Sequence, residues 1–250
     1  STLLKRGLNY LTSYFSYSLE TCRSWTGKTF NSDVTSACLA AWSARTGIGP
    51  DAPTSGQMTR VIAFTLEMVG CPVVKGGAYK LVEAFEQLIK SYDGEIVVNA
   101  DVEKVISENG KAVGVVCKDG TEYRSNKSVI CSMTPNQLYE RLLDPKDVPA
   151  QIAKQTEAYR YGHGDMQIHL ALNEPAAWHD AELNPVAMTH LTPTLNGISN
   201  ATNEATRGLL PEKATIVVGQ PAMVDPTRVP EGKGLLWIQL QELPRHILGD

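Results

Sequence analysis

The sequence predicts an α+β protein: a three-stranded β-meander beside one helix, and a mostly antiparallel sheet covered by helices. Three observations carry this. Residues 81–89 place Leu81, Phe85, Leu88 and Ile89 at i, i+4, i+7 and i+8, one apolar stripe of a helix over residues 78–90. Asn109-Gly110 and Asp119-Gly120 then separate three short β-prone runs, at 102–107, 112–118 and 121–124, and such pairs tolerate the positive φ of tight hairpins. After Gly164, Met166, Ile168, Leu170 and Leu172 alternate with mostly polar residues at period two, the mark of a strand.

The remaining elements follow in order. Leu4, Leu8, Leu11 and Phe15 recur at helical spacing within residues 1–23, with Tyr10, Tyr14 and Tyr17 beside them, and read as a helix packed on a neighbour. Ser32-Asp33 caps a second helix whose Val34, Ala37, Cys38, Ala41 and Trp42 form a small-residue face. Residues 47–53 are a loop by composition. Thr54-Ser55 caps a third helix over 57–69, with Val61, Phe64, Thr65 and Met68 along one side. Asp93-Gly94 closes the central helix. The apolar runs 96–98 and 128–131 suit strands buried on both faces. Short helices are expected at 135–143, ending before Pro145, at 149–159 and at 199–210. Residues 186–191, 215–218 and 235–240 complete the second sheet. The expected domains are a helical part at 1–72, a segment with helix and meander at 73–145, and a sheet with helices at 146–250.

Composition excludes several classes. A net charge of −4 over 250 residues, with no Lys/Arg run, leaves no footprint for nucleic acid. Five cysteines without a CxxC pair argue against a disulfide scaffold or zinc site. Cys38, Cys117 and Cys131 lie in apolar runs and read as buried free thiols of a reducing, cytoplasmic compartment. No apolar run reaches the roughly 18 residues of a membrane span, and no signal peptide is visible. The histidines never take HxH or HExxH spacing, so no metal is expected. His169 and His190 fall on predicted strands and could face one cavity, but hydrogen-bonded histidines at a sheet surface are the preferred expectation. No GxSxG elbow occurs, and Asp180 and Glu182 sit in a solvated loop. No catalytic residue is therefore singled out.

Taken together, GG-x3-L-x3-F-x2-L from Gly76, G-E-I-x-V-N-A-x-V-x-x-V from Gly94, the meander and VICSMTP from Val129 resemble flavoproteins of the phytoene desaturase type, within the wider group that includes amine oxidases. GDMQIHLALNEPAAW from Gly164 and TIVVGQPAMVDPTRVP from Thr215 resemble the same branch. The resemblance implies an FAD-dependent oxidoreductase that oxidises or desaturates a largely apolar, isoprenoid-like substrate, with the flavin supplying the reactivity. It assigns residues 73–145 to the flavin domain and the flanking segments to the substrate domain. It implies flavin contacts at Gly76, Gly77, Val102 (through its backbone) and Ser132. Expected partners are an apolar small molecule and, at most, a membrane surface touched from one side. Since G-x-G-x-x-G is missing and the chain opens on Ser-Thr-Leu, an internal fragment of a longer protein is expected, inactive and weak in FAD binding when isolated. The competing expectation is a non-catalytic binder of apolar ligands on the same scaffold.

Overall fold

The structure, a computed structural model, describes residues 7–192 and 194–248. It divides into two compact units: one joins the chain up to Glu83 with that from Gly162 onward, and the other is Ala84–Tyr161.

In the first unit, helices α1 (Leu8–Leu19), α2 (Cys22–Thr29), α3 (Asp33–Ala44) and α4 (Ser55–Val69) precede a four-stranded antiparallel sheet. Its strands are β4 (Gly164–Leu172), β5 (Met188–Leu191), β6 (Ile216–Gly219) and β7 (Gly234–Leu243), in the order β4-β7-β6-β5, and α7 (Leu195–Thr206) lies between β5 and β6 in sequence. Small residues let the helices approach closely: Cys22, Ala40, Ala41, Ala44, Leu195 and Ile198 form the core of α2, α3 and α7. Where the expected first helix was continuous, the chain breaks at Glu20 and Thr21, and the Thr21 hydroxyl accepts from Ser24 N at 3.1 Å to start α2. Leu4 lies outside the described residues. Ser32 caps α3 through Thr35 N, as expected. Thr54 does not cap α4; it takes a left-handed φ of 73°, and the buried Ser55 hydroxyl instead accepts from Cys22 N at 2.8 Å. A Cβ on Gly56 would sit 2.8 Å from the carbonyl oxygens of Glu20 and Thr21, so only glycine allows α4 to start against that link.

Two expected faces differ. In α3 Ala37 and Ala41 are buried as expected and Trp42 is half-buried, but the buried side turns toward Ser36, Ala40, Ser43 and Ala44, which leaves Val34 and Cys38 exposed. In α4 the buried residues are Ser55, Gly56 and Thr59, and Val61, Phe64 and Met68 face outward. The expected helix at 199–210 is α7, shifted four residues earlier because Thr194 caps it, its hydroxyl accepting from Gly197 N at 3.0 Å.

Helix α5 (Tyr79–Ser91) runs across the boundary into the second unit, where β1 (Val102–Glu108), β2 (Lys111–Cys117) and β3 (Glu122–Arg124) form the antiparallel meander, in the order β1-β2-β3. Asn109 and Gly110 both take positive φ, 52° and 75°. At the second hairpin only Gly120 does, at 84°, and the Asp119 carboxylate accepts from Thr121 N at 2.9 Å, so this is a longer Asx-stabilised loop. Residues 135–143 form one turn of α-helix that widens into a π-helix, Gln137–Leu142, and α6 (Ala150–Glu157) follows. The runs 96–98 and 128–131 are not strands here. Burial on both faces needs neighbours on both sides, and among the described residues none pairs with them: Val98 is 74% and Ile130 91% exposed. Cys117 is buried as expected and Cys131 half-buried.

Candidate functional site

Register assigns the two faces of the four-stranded sheet. Met166 pairs Leu240, Ile168 pairs Ile238 and Leu170 pairs Leu236, while Ile216 and Val218 of β6 pair Leu240 and Ile238 on the other side of β7. Directly opposed residues share a face, so these side chains, with Leu191 of β5 opposite Ile216, form one apolar surface. It is open toward the β4 edge, where Met166, Ile168 and Leu170 are 47%, 37% and 38% exposed. A contiguous apolar face of this kind is uncommon on a protein surface and marks a ligand or interaction surface.

The opposite face is more polar; its β5 end meets α3, while its β4 edge is exposed. It carries Gln167 and His169 of β4, Trp237 and Gln239 of β7, and Met188 and His190 of β5. The Trp237 indole lies against the backbone of Gly219, where a Cβ would come within 2.0 Å of the ring. His190 meets the Trp42 ring at 4.9 Å between centroids and accepts from Arg45 Nε at 3.5 Å, while Arg45 Nη2 lies 3.2 Å from the Met188 sulfur. Burial, and then the Arg45 charge, hold the His190 imidazole down to about 4, so it stays neutral as an acceptor. His169 shares this face, but β7 and β6 stand between β4 and β5, and its Nε2 meets Gln167 Oε1 at 3.2 Å. The two histidines therefore do not meet in one site.

Gly76 and Gly77 lie in a tight turn, with φ of 83° and 112°, closed by Gly77 N–H donating to Val74 O at 3.1 Å. Positive φ at Gly76 matches the third position of a type II turn. The turn is held by a residue that the sequence does not single out: Gly76 N–H donates to Asp225 Oδ2 at 2.6 Å. Asp225 is itself buried and accepts from the Thr227 hydroxyl at 2.7 Å. The Thr227 hydroxyl, followed by the Gly76 amide, holds its carboxyl below the usual range. At Gly77 a Cβ would lie 3.2 Å from the Tyr79 ring; at Gly76 only the flexible Lys80 side chain comes within 4 Å. Gly76 is half-buried and Gly77 buried, so the turn reaches the surface mainly at Gly76, beside the Lys80 side chain. In the second unit Val102 is half-buried at the start of β1, paired with Cys117, and Ser132 is exposed in the loop before Pro135. No group of three or more His, Cys, Asp or Glu side chains suited to a metal ion occurs among the described residues.

The fold is shared with solved structures. An oxidoreductase from Methanosarcina mazei superposes with a TM-score of 0.59 at 18% identity, over 90% of this chain and 48% of that one. A protein from Pyrococcus furiosus gives 0.54 at 14% identity, over 89% and 49%. Among curated proteins, the chain is 25% identical over 200 residues to the zeta-carotene-forming phytoene desaturase of Myxococcus xanthus, covering 80% of this chain and 36% of that protein. It is 24% identical to the neurosporene-forming phytoene desaturase of Rhodobacter capsulatus, over 65% and 30% of the two. A 57-residue stretch is 40% identical to a 4,4'-diapophytoene desaturase of a Methylomonas species, 23% of this chain and 11% of that one. No protein-family model matches. These curated relatives are phytoene and diapophytoene desaturases, and the chain spans about a third of the length of the two phytoene desaturases.

Proposed function

We propose that this chain is part of an FAD-dependent oxidoreductase that oxidises or desaturates a largely apolar, isoprenoid-like substrate. The carrying observation is the apolar sheet face that opens at Met166, Ile168 and Leu170. An elongated hydrocarbon laid across β4 and β7 removes these side chains from water, worth about 25 cal/mol per Å² of apolar area buried. That face carries no charged side chain in the paired rows, so it binds and orients a substrate without offering it a proton donor.

On this reading a bound flavin supplies the hydride acceptor. The Gly76-Gly77 turn lines the ring, with Asp225 holding its amide in place, and Val102 and Ser132 hold the dinucleotide through backbone and hydroxyl. The remaining flavin contacts belong to flanking sequence, in keeping with the share of the desaturases that the chain spans, and the isolated chain binds FAD weakly and is inactive. Residues 73–145 serve the flavin, and the segments on either side of them serve the substrate.

We assign the reducing cytoplasm as the compartment, with a membrane touched from one side. No helix among the described residues is long and apolar enough to cross a membrane. Helix α1 has no charged residue and exposes Leu8, Phe15 and Tyr17, a composition suited to an interfacial contact.

The test is to purify the protein with its flanking sequence, record its flavin spectrum, and add an isoprenoid polyene without oxygen. Bleaching of the flavin band supports the reading. A colourless protein that takes up no FAD refutes it.

A further inference from the structure

On the polar side of the sheet a β-bulge gathers side chains that the redox reading leaves unused. Gly164 pairs Leu243 and Met166 pairs Leu240, so Gln241 and Glu242 of β7 oppose the single residue Asp165 of β4. Such bulges re-aim side chains, and this one does so beside a cavity of about 350 Å³ walled by the end of α3, the loop after it, and β4 and β7.

Three groups in that wall are poorly spent. Gln241 is 9% exposed, and neither its amide nitrogen nor its oxygen has a partner among the described residues. A buried amide left this way is costly, which makes it a group in want of a ligand. Arg45 lends Nε and Nη2 to the weak acceptors His190 and Met188, and no carboxylate pairs with it among the described residues. Asp165 spends Oδ2 on the Gln239 amide at 2.6 Å, and its Oδ1 has no side-chain partner among the described residues. Arg45 and Asp165 line the same cavity and attract through space, yet form no ion pair.

Opposite charges held apart across one cavity disfavour any ligand with a single charge. An anion on Arg45 would face Asp165, and a cation on Asp165 would face Arg45. A molecule carrying both charges satisfies both walls with charge-assisted hydrogen bonds. We propose that this cavity binds a small zwitterion, a free α-amino acid, with its carboxylate on the Arg45 guanidinium, its ammonium on Asp165 Oδ1, and the Gln241 amide turned inward as a further partner. The site lies on the sheet face opposite the apolar one and does not depend on the redox reading.

The experiment is isothermal titration calorimetry of each of the twenty common L-amino acids against the 250-residue chain, with propionate, propylamine and glycerol as single-feature probes. At least one amino acid is expected to bind saturably below about 10 mM, and each single-feature probe at least tenfold more weakly. Arg45→Gln and Asp165→Asn, both at exposed positions, are each expected to weaken it at least tenfold with the melting temperature unchanged. The proposal is overturned if no amino acid binds, if propionate, propylamine or glycerol binds as well as the best amino acid, or if both variants bind like the parent chain.

Discussion

The backbone amide of Gly76 donates to the carboxylate of Asp225, 149 residues further along the chain. This bond ties the glycine turn before α5 to the 3-10 turn Pro226–Arg228, and so to the end of the strand β6 segment. It gives the turn a structural reason to exist independent of any cofactor.

That reason separates two roles for the glycines. Gly77→Val adds a branched side chain at a φ of 112° and against the Tyr79 ring, and is expected to cost about 1–3 kcal/mol in urea unfolding. In the protein with its flanking sequence it is also expected to lower bound flavin per folded chain. Lower stability with full flavin content would make the glycines structural only. Asp225→Asn removes a carboxylate whose folded-state pKa lies below the ordinary 3.8. Its stabilising effect is complete above 3.8 and disappears as pH falls through the lowered value. The variant is therefore expected to melt lower than the parent at neutral pH, with the gap closing in acid.

Ser55→Ala tests the helical core. The hydroxyl receives the Cys22 N–H at 2.8 Å and donates to Ala52 O at 2.7 Å, all within buried surroundings. Its loss leaves a buried N–H without a partner, at a cost of about 1–3 kcal/mol, readable as a shifted urea midpoint with the slope unchanged.

His190 is expected to titrate near 4 by NMR, against the ordinary 6.5. Its neutral form stabilises the fold fully above 6.5, and this is lost as pH falls toward 4. Arg45→Gln is expected to raise the value only partway, because burial is the larger cause and the Arg45 charge the smaller.

Glu242 behaves in the opposite sense. It is 3% exposed, and burial pushes its carboxyl above the ordinary 4.5; Thr215 beside it opposes this, but neither carboxylate oxygen has a hydrogen-bond partner within reach among the described residues. The protonated acid is compatible with the fold below 4.5, and stability falls as pH rises from there through the raised value. Glu242→Gln is expected to raise the melting temperature at pH 7 and to leave it near the parent's below 4.5. Equal melting at both would show that the carboxyl is solvated.

What could be read from the sequence was local. Alternation at 166–172 is a period-two signal within one strand, and Asn109-Gly110 is a turn chemistry that acts alone. The first strand of the larger sheet was legible for that reason and the other three as short apolar runs, and so was the stripe of α5. Faces were harder. The apolar side of α4 is exposed because its packing contact is made by Ser55, Gly56 and Thr59, where closeness matters more than hydrophobicity. Residues 96–98 carry strand-like composition, but a strand also requires partners, and composition does not reveal them. The Gly76–Asp225 bond and the bulge at Gln241 and Glu242 depend on residues distant in sequence or on a register slip, which leave no local pattern.

The most direct test of the central claim uses Ile168→Gln with Leu170→Gln, two half-exposed positions on the apolar sheet face that carry no assigned flavin contact. The measurement is steady-state turnover of an isoprenoid polyene by the protein with its flanking sequence, alongside bound flavin per chain. The account predicts at least a tenfold loss of kcat/KM, about 1.4 kcal/mol of transition-state binding, with flavin content unchanged. Turnover at the parent rate would contradict the claim that this face receives the substrate.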